Sequence, residues 1–496
     1  MKVSEWKESV IDPSQIDKYL VDGEDFICED TIKQQIKDGE NPSDEYIEKI
    51  IQKALSVHTL APEETAALLN VKSPQMWDKI FAAALELKKK VYDNRIVFFA
   101  PLYCSNLCVN NCEYCGFREK NCTEKRVILD SDHIKRETRS VLNEGHKRLI
   151  LVFGEHPKSD IDYMIDAIKA VYDVEAEAPK SGKLANIRRV NINAAPMSIE
   201  KLQRLKETGI GTYQVFQETY HKKTYSEVHP KNTLKGDYHW RLYALHRAME
   251  AGIDDVAIGA LFGLYDWKFE VMGLLYHTLE LENRFGVGPH TISFPRITPA
   301  SGSDLSKNLP YQVSDEDFKK IVAILRLSVP TAGLIITARE NPELKREVIK
   351  LGCTQTDAST RIGIGGYSDQ LNQDKQQFTI GDPRDLDDVI QEVLKEGFIP
   401  SFCTAGYRCG RTGETIMGML SHCVEGKFCK LNAVLTFKEY LYDYASEETR
   451  RLGEKVIEKE LKEIHKEQYF IDHPKLTGKF DQQFHDITIG KRDRFI

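Results

Sequence analysis

The sequence predicts an α/β chain built on a TIM-type (β/α)8 barrel, with a helical segment before it and a mostly helical extension after it. Three observations carry this expectation. Residues 1–95 repeat apolar positions at helical spacing without a β-rich run; from about residue 96, short β-rich runs alternate with amphipathic stretches; after about residue 366 that alternation stops. The expected divisions are therefore an N-terminal helical segment over 1–95, the barrel over 96–365 and the C-terminal extension over 366–496.

In the first division, DEYIEKIIQKALS and PEETAALLN carry the helical period, and Ser43 and Pro62 stand where helices should start. The barrel's strand candidates are IVFFAPL at 96, RLILVF at 148, RRVNINAA at 188, GTYQVFQ at 211, DDVAIGAL at 254, HTISFPRI at 290, AGLIITA at 332 and TQTDAS at 354. Eight βα units match a closed barrel, whose active site lies at the carboxyl ends of its strands. An open doubly wound sheet is the alternative, but no Gly-x-Gly-x-x-Gly follows the first strand to hold a dinucleotide. The polar stretch GYSDQLNQDKQQFTIGDPRD then reads as a connector, DLDDVIQEVLKEG as a helix, and Thr436 to Glu467 as one long charged helix.

Lys+Arg 68 against Asp+Glu 76 gives a net charge of −8, which lacks the basic footprint of a nucleic-acid binder. No apolar run approaches the roughly 18 residues of a membrane span, and the N-terminus MKVSEWKESVIDPSQIDKYL lacks the apolar core of a secretory signal. The expectation is a cytoplasmic protein with small-molecule or protein partners, acting on neither nucleic acid nor membrane. Eleven cysteines in such a chain point to metal or redox chemistry rather than disulfides. Four lie at 104, 108, 112 and 115 and four more between Cys403 and Cys429, while Cys28, Cys122 and Cys353 stand apart.

The first strand runs directly into YCSNLCVNNCEYCGF, where Cys108, Cys112 and Cys115 form Cys-x3-Cys-x2-Cys. Three thiolates on one loop hold three irons of a [4Fe–4S] cluster and leave the fourth open. S-adenosylmethionine (SAM) can chelate that open iron, and an electron from the cluster then releases a 5′-deoxyadenosyl radical. Tyr114 is placed to pack on the adenine. The alternative is a structural zinc site with Cys104 as fourth ligand; against it stands the position of the loop between the first strand and first helix of a barrel pattern.

These residues resemble the radical SAM superfamily. By that resemblance, Gly154 and Glu155 in LVFGEHP contact the SAM amino group, and Glu218 and Tyr220 in FQETYH contribute polar contacts to SAM. The words APLYCSNLCVNNCEYCGF, VFQETYH, GLYDWKFE, SFPRITPASG, ITARE and CTQTDASTRIGIGGY are similar to those of the radical SAM tyrosine lyases, most of all the hydrogenase-maturation branch, over nearly the whole chain. The resemblance implies cleavage of L-tyrosine at Cα–Cβ to 2-iminoacetate (dehydroglycine) and p-cresol. It also implies a ferredoxin or flavodoxin as electron donor and hydrogenase maturation proteins as partners. A second cluster in the extension would then turn dehydroglycine into carbon monoxide and cyanide. An amino acid substrate needs a cation for its carboxylate: Arg339, ending the seventh strand, is the first candidate and Arg296 the second. His277 matches the position that gives the branch an imidazole ligand near its second cluster.

The branch's C-terminal motif is Cys-x2-Cys-x22-Cys. Cys403 and Cys429 match its ends, but the middle position is Gly406. Cys409 is the expected substitute, with Cys423 a weaker one. Arg408 and Arg411 either line this region and attract anions or lie on a solvated loop. An alternatively ligated second cluster, no cluster, and another metal all stay open on the sequence. So do a lyase that stops at dehydroglycine, one acting on another amino acid, and a non-catalytic iron–sulfur scaffold.

Overall fold

A computed structural model describes residues 3–368 and 376–496. Its centre is a closed barrel of eight parallel strands, bounded by β1 (Arg95–Ser105), β2 (Arg148–Phe153), a peripheral antiparallel hairpin of β3 (Glu175–Glu177) and β4 (Leu184–Asn186), β5 (Arg189–Asn193), β6 (Tyr213–Gln214), β7 (Val256–Gly259), β8 (Thr291–Ser293), β9 (Gly333–Ile336) and β10 (Gln355–Asp357). Every strand candidate of the sequence falls on a barrel strand. Pairing of β10 with β1, Val97 beside Gln355, closes the ring. β1 is buried along its whole length, as a strand covered on both faces requires.

A ninth parallel strand, β11 (Ile399–Ser401), comes from the extension and pairs with the first residues of β1, Arg95 beside Ile399 and Val97 beside Ser401. The chain that follows it is thereby delivered to the amino-terminal end of the barrel, the lower mouth. The Glu425–Asp443 helix packs along β11 and covers that end.

Before the barrel lie helices only, including Asp44–Leu55, where the Ser43 side chain accepts from the Tyr46 N–H, and Pro62–Leu69, which begins on Pro62. Such caps satisfy otherwise orphaned N–H groups. The single helix expected from Thr436 to Glu467 is instead two, Glu425–Asp443 and Glu447–Ile464. Ser446 breaks the run: its side chain caps the second helix at Thr449, while Asp387 accepts from the Ser446 N–H and the Thr449 hydroxyl. The Leu386–Lys395 helix forms as expected. Part of the expected connector, 369–375, lies outside the described residues. Among the described residues no helix is long and apolar enough to cross a membrane.

Candidate active site

At the carboxyl ends of the strands, the upper mouth, the barrel opens into a cavity of about 240 Å³ lined by Cys108, Cys112, Cys115, Tyr114, Gly154, Glu155, Glu218 and Arg339. The loop after β1 brings the three thiols there. Burial pushes the Cys108 and Cys112 thiols up to about 11 and raises Cys115 as well. Side-chain amides stand at two of the sulfurs, Asn110 Nδ2 at 3.7 Å from Cys108 and Gln377 Nε2 at 3.6 Å from Cys115. Three sulfurs on one short loop, open to a cavity and met by N–H donors, fit the three-thiolate set of a [4Fe–4S] cluster. Cys104 is buried within β1 with its thiol 3.8 Å from the Leu102 carbonyl, so the zinc arrangement finds no fourth ligand in it.

Gly154 has a steric reason: a Cβ there would stand 2.2 Å from the Leu107 carbonyl oxygen, so only glycine lets the end of β2 approach the cysteine loop. Glu155 accepts from Asn110 Nδ2 at 2.5 Å, and burial raises its carboxyl against that hydrogen bond. Asn110 therefore ties Glu155 to Cys108. The Tyr114 hydroxyl is 2.8 Å from His229 Nε2, and the Lys235 ammonium lies 5.5 Å from the centre of its ring.

Glu218 carries an ion pair with Lys235 at 2.6 Å and a longer one with Arg241 at 3.5 Å. Burial would raise its carboxyl, but these cations outweigh it and hold the group below the usual range. Its φ of 72° lies in the left-handed region, which ends regular strand geometry at this point. Tyr220 consequently does not share the face of Glu218. It is fully buried outside the cavity, its hydroxyl 2.9 Å from His277 Nδ1, so the expectation of a SAM contact is corrected.

The two arginine candidates separate cleanly. Arg339 reaches the cavity with its guanidinium stacked 3.3 Å over Phe378 and 3.4 Å from the Thr298 hydroxyl, and no carboxylate is among these partners. Arg296 is spent on structure. It pairs with both oxygens of Glu340, with Asp315 at 2.8 Å and with the Val313 carbonyl, which corrects its expected role toward substrate.

The lower mouth is different in kind. Arg95, Arg148 and Arg189 begin β1, β2 and β5 and are buried there. Arg189 Nη2 pairs with Asp255 at 2.7 Å, and its Nη1 is 3.9 Å from Cys403 Sγ. Burial would raise the Cys403 thiol, but Arg189, Arg95 and Arg148 hold it below its usual value. One imidazole in this neighbourhood is His290, beside Asp255, with its Nδ1 buried and, among the described residues, without a hydrogen-bond partner. His277 instead belongs to an aromatic nest with Phe26, His246 and Tyr220, so its expected place as a metal ligand is corrected.

Cys429 is buried on the Glu425–Asp443 helix, and its thiol donates to Glu425 Oε1 at 3.2 Å. Cys409 is exposed, its thiol against the Ile496 carbonyl at 3.9 Å, so the expected trio of Cys403, Cys409 and Cys429 is not brought together. The cause is the short 3-10 turn Tyr407–Cys409, which carries residue 409 outward. Arg408 pairs with Asp493, and Arg411 with Glu425 at 3.3 Å. The standard three-cysteine set of a second cluster does not fit this mouth.

The sequence reading missed Asp357, which accepts from the Ala338 N–H at 2.7 Å at the cavity wall, and Gln377. It also missed the arginines of the lower mouth, although two strand candidates begin with arginine and Arg95 stands just before a third.

Comparison with known proteins agrees with this geometry. The radical SAM superfamily model matches residues 102–272, and the biotin and thiamin synthesis associated domain matches 293–399. The chain is 31% identical to 2-iminoacetate synthase of Salmonella typhimurium over 74% of this chain and 93% of that protein. A crystal structure of HydG, a maturase of the [FeFe]-hydrogenase, is 42% identical with a TM-score of 0.88, covering 95% of this chain and all of that one. HydG from Carboxydothermus hydrogenoformans is 36% identical with a TM-score of 0.76, covering 91% and 97%.

Proposed function

The chain belongs to the radical SAM tyrosine-lyase family of 2-iminoacetate synthase and HydG, and from that premise we propose that it cleaves the Cα–Cβ bond of L-tyrosine, giving 2-iminoacetate and p-cresol. It is a radical SAM enzyme, and its cofactors are a [4Fe–4S] cluster and SAM. When bound, these supply the 5′-deoxyadenosyl radical that begins the reaction.

The protein's own part is positioning. Cys108, Cys112 and Cys115 hold the cluster, Glu155 takes the SAM amino group, Tyr114 packs on the adenine, and Glu218, locked by Lys235 and Arg241, supplies a fixed acceptor for SAM. Arg339 receives the substrate carboxylate; this is the observation that carries the amino acid reading, because its guanidinium stands in the cavity against Phe378 and Thr298 and, among the described residues, in no ion pair with a carboxylate. A bidentate contact there fixes the amino acid end and leaves the side chain to the apolar wall of Phe99, Ile150 and Ile335. A low-potential donor of the ferredoxin or flavodoxin class supplies the electron, and hydrogenase maturation proteins receive the product.

Anaerobically reconstituted protein given SAM, reductant and L-tyrosine should release 5′-deoxyadenosine and p-cresol in equal amounts. Release with another amino acid and not with tyrosine would reassign the substrate, and none with any amino acid would reduce the chain to a scaffold. The later stage, from 2-iminoacetate to carbon monoxide and cyanide, requires metal at the lower mouth, which the three-cysteine set does not provide.

A further inference from the structure

The lower mouth gathers three buried arginines around two cysteines. Arg95, Arg148 and Arg189 are 5%, 1% and 2% exposed, and the buried carboxylates facing them are Asp255 and Glu425. Buried guanidiniums in excess over carboxylates are costly unless further anions join them. Two cysteines stand in the same field, one of them, Cys403, in a left-handed backbone conformation at φ 46°. Strain of this kind persists where surrounding structure holds a functional group in place.

Gly406 is not demanded by the backbone. Its φ of −50° is open to any residue, and a Cβ there would meet only the Arg411 carbonyl at 3.6 Å and Glu425 Oε1 at 3.8 Å. The carboxylate therefore stands beside the place a thiol at 406 would fill. Glu425 is 1% exposed, and it precedes Cys429 by one helical turn, so both donors project from one face. The hydrogen bond from the Cys429 thiol to Glu425 Oε1 shows that they converge on one point, and the proton they share is what a cation would replace.

We propose that Glu425 stands in for the missing thiolate, so that Cys403, Cys429 and Glu425 together hold an iron–sulfur cluster at the lower mouth. Carboxylate oxygen is an ordinary iron ligand, and its single negative charge keeps the charge a thiolate would bring to the arginines. Among the described residues no three metal-ligating side chains are grouped as they would be around one ion. The same holds at the cysteine loop of the upper mouth, because the ligands of a cluster surround several irons rather than one. Cys409 has no part in this site.

The test reads iron and does not depend on lyase turnover. In the full chain with Cys108, Cys112 and Cys115 replaced by Ala, reconstitution with ferrous iron and sulfide should leave about four irons per chain and one reduced-cluster EPR signal. Glu425→Gln in that background should lose at least half of the iron, and adding Gly406→Cys should restore it. Glu425→Cys should keep the iron with an altered EPR spectrum, and Cys409→Ser should change neither. The proposal is overturned if the background chain holds no iron, if iron and spectrum survive Glu425→Gln, if the Glu425→Cys spectrum is that of the parent, or if Cys409→Ser loses the iron.

Discussion

The two mouths of the barrel gather cysteines by opposite routes. At the upper mouth one loop supplies all three thiols, and burial, with the neighbouring thiols adding to it, raises them, so their use as thiolates waits on the metal. At the lower mouth Cys403 follows β11 and Cys429 sits on a helix, and three arginines drawn from the starts of three strands hold Cys403 below its usual value before any metal arrives. The first arrangement is written in local spacing. The second exists only once the barrel has closed, and it can lose a ligand to Gly406 while keeping its field.

The largest effect that would break this contrast concerns the upper loop. Cys112→Ala should abolish 5′-deoxyadenosine formation and remove about four irons while the chain stays folded by circular dichroism, because the barrel's core is a continuous cluster of buried apolar side chains from its strands and helices. A structural zinc site would instead unfold on losing a ligand. Parental 5′-deoxyadenosine release from Cys112→Ala would end the assignment of the loop.

Next in size is the pair of arginines at the strand ends. Arg339→Ala should raise the KM for tyrosine at least tenfold, since a charge-assisted hydrogen-bonded contact is worth about 1.5–3 kcal/mol. Arg296→Ala should lower the melting temperature and leave that KM unchanged, because its partners are Glu340 and Asp315. An unchanged KM in Arg339→Ala, or a tenfold rise in Arg296→Ala with a native melting curve, would exchange their roles.

What was legible in the sequence follows the same division. β-Branched and aromatic runs marked all eight barrel strands because a barrel strand is covered on both faces. The cysteine loop and Gly154 were legible because ligand spacing and close approach are local properties. The lower mouth was not: Arg95, Arg148, Arg189, Asp255 and His290 meet only through strand order, and nothing near Glu425 in sequence marks it as facing residue 406. β11 was hidden as well, since Ile-Pro-Ser has no strand pattern and is held by the start of β1. His277 was misplaced because a helical position says nothing about which partner helix or strand it will face; here that face meets Phe26 from the N-terminal helical region.

The smallest predicted effect falls on a residue that belongs to neither mouth. Positions two apart on a strand share a face, so Glu218 and Tyr220 should both look into the cavity. The left-handed φ of Glu218 breaks that period, and Tyr220 turns outward, where its backbone N–H donates to Glu270 and its hydroxyl meets His277 Nδ1 at 2.9 Å. Tyr220→Phe removes that one buried hydrogen bond and leaves the imidazole nitrogen without a partner, at a cost of about 1–3 kcal/mol. Its melting temperature should therefore fall by several degrees, while iron content, the KM for SAM and the rate of 5′-deoxyadenosine release stay at parental values. A rise in the KM for SAM with an unchanged melting temperature would return Tyr220 to the upper mouth, and a loss of iron would tie the Tyr220–His277 pair to a metal site after all.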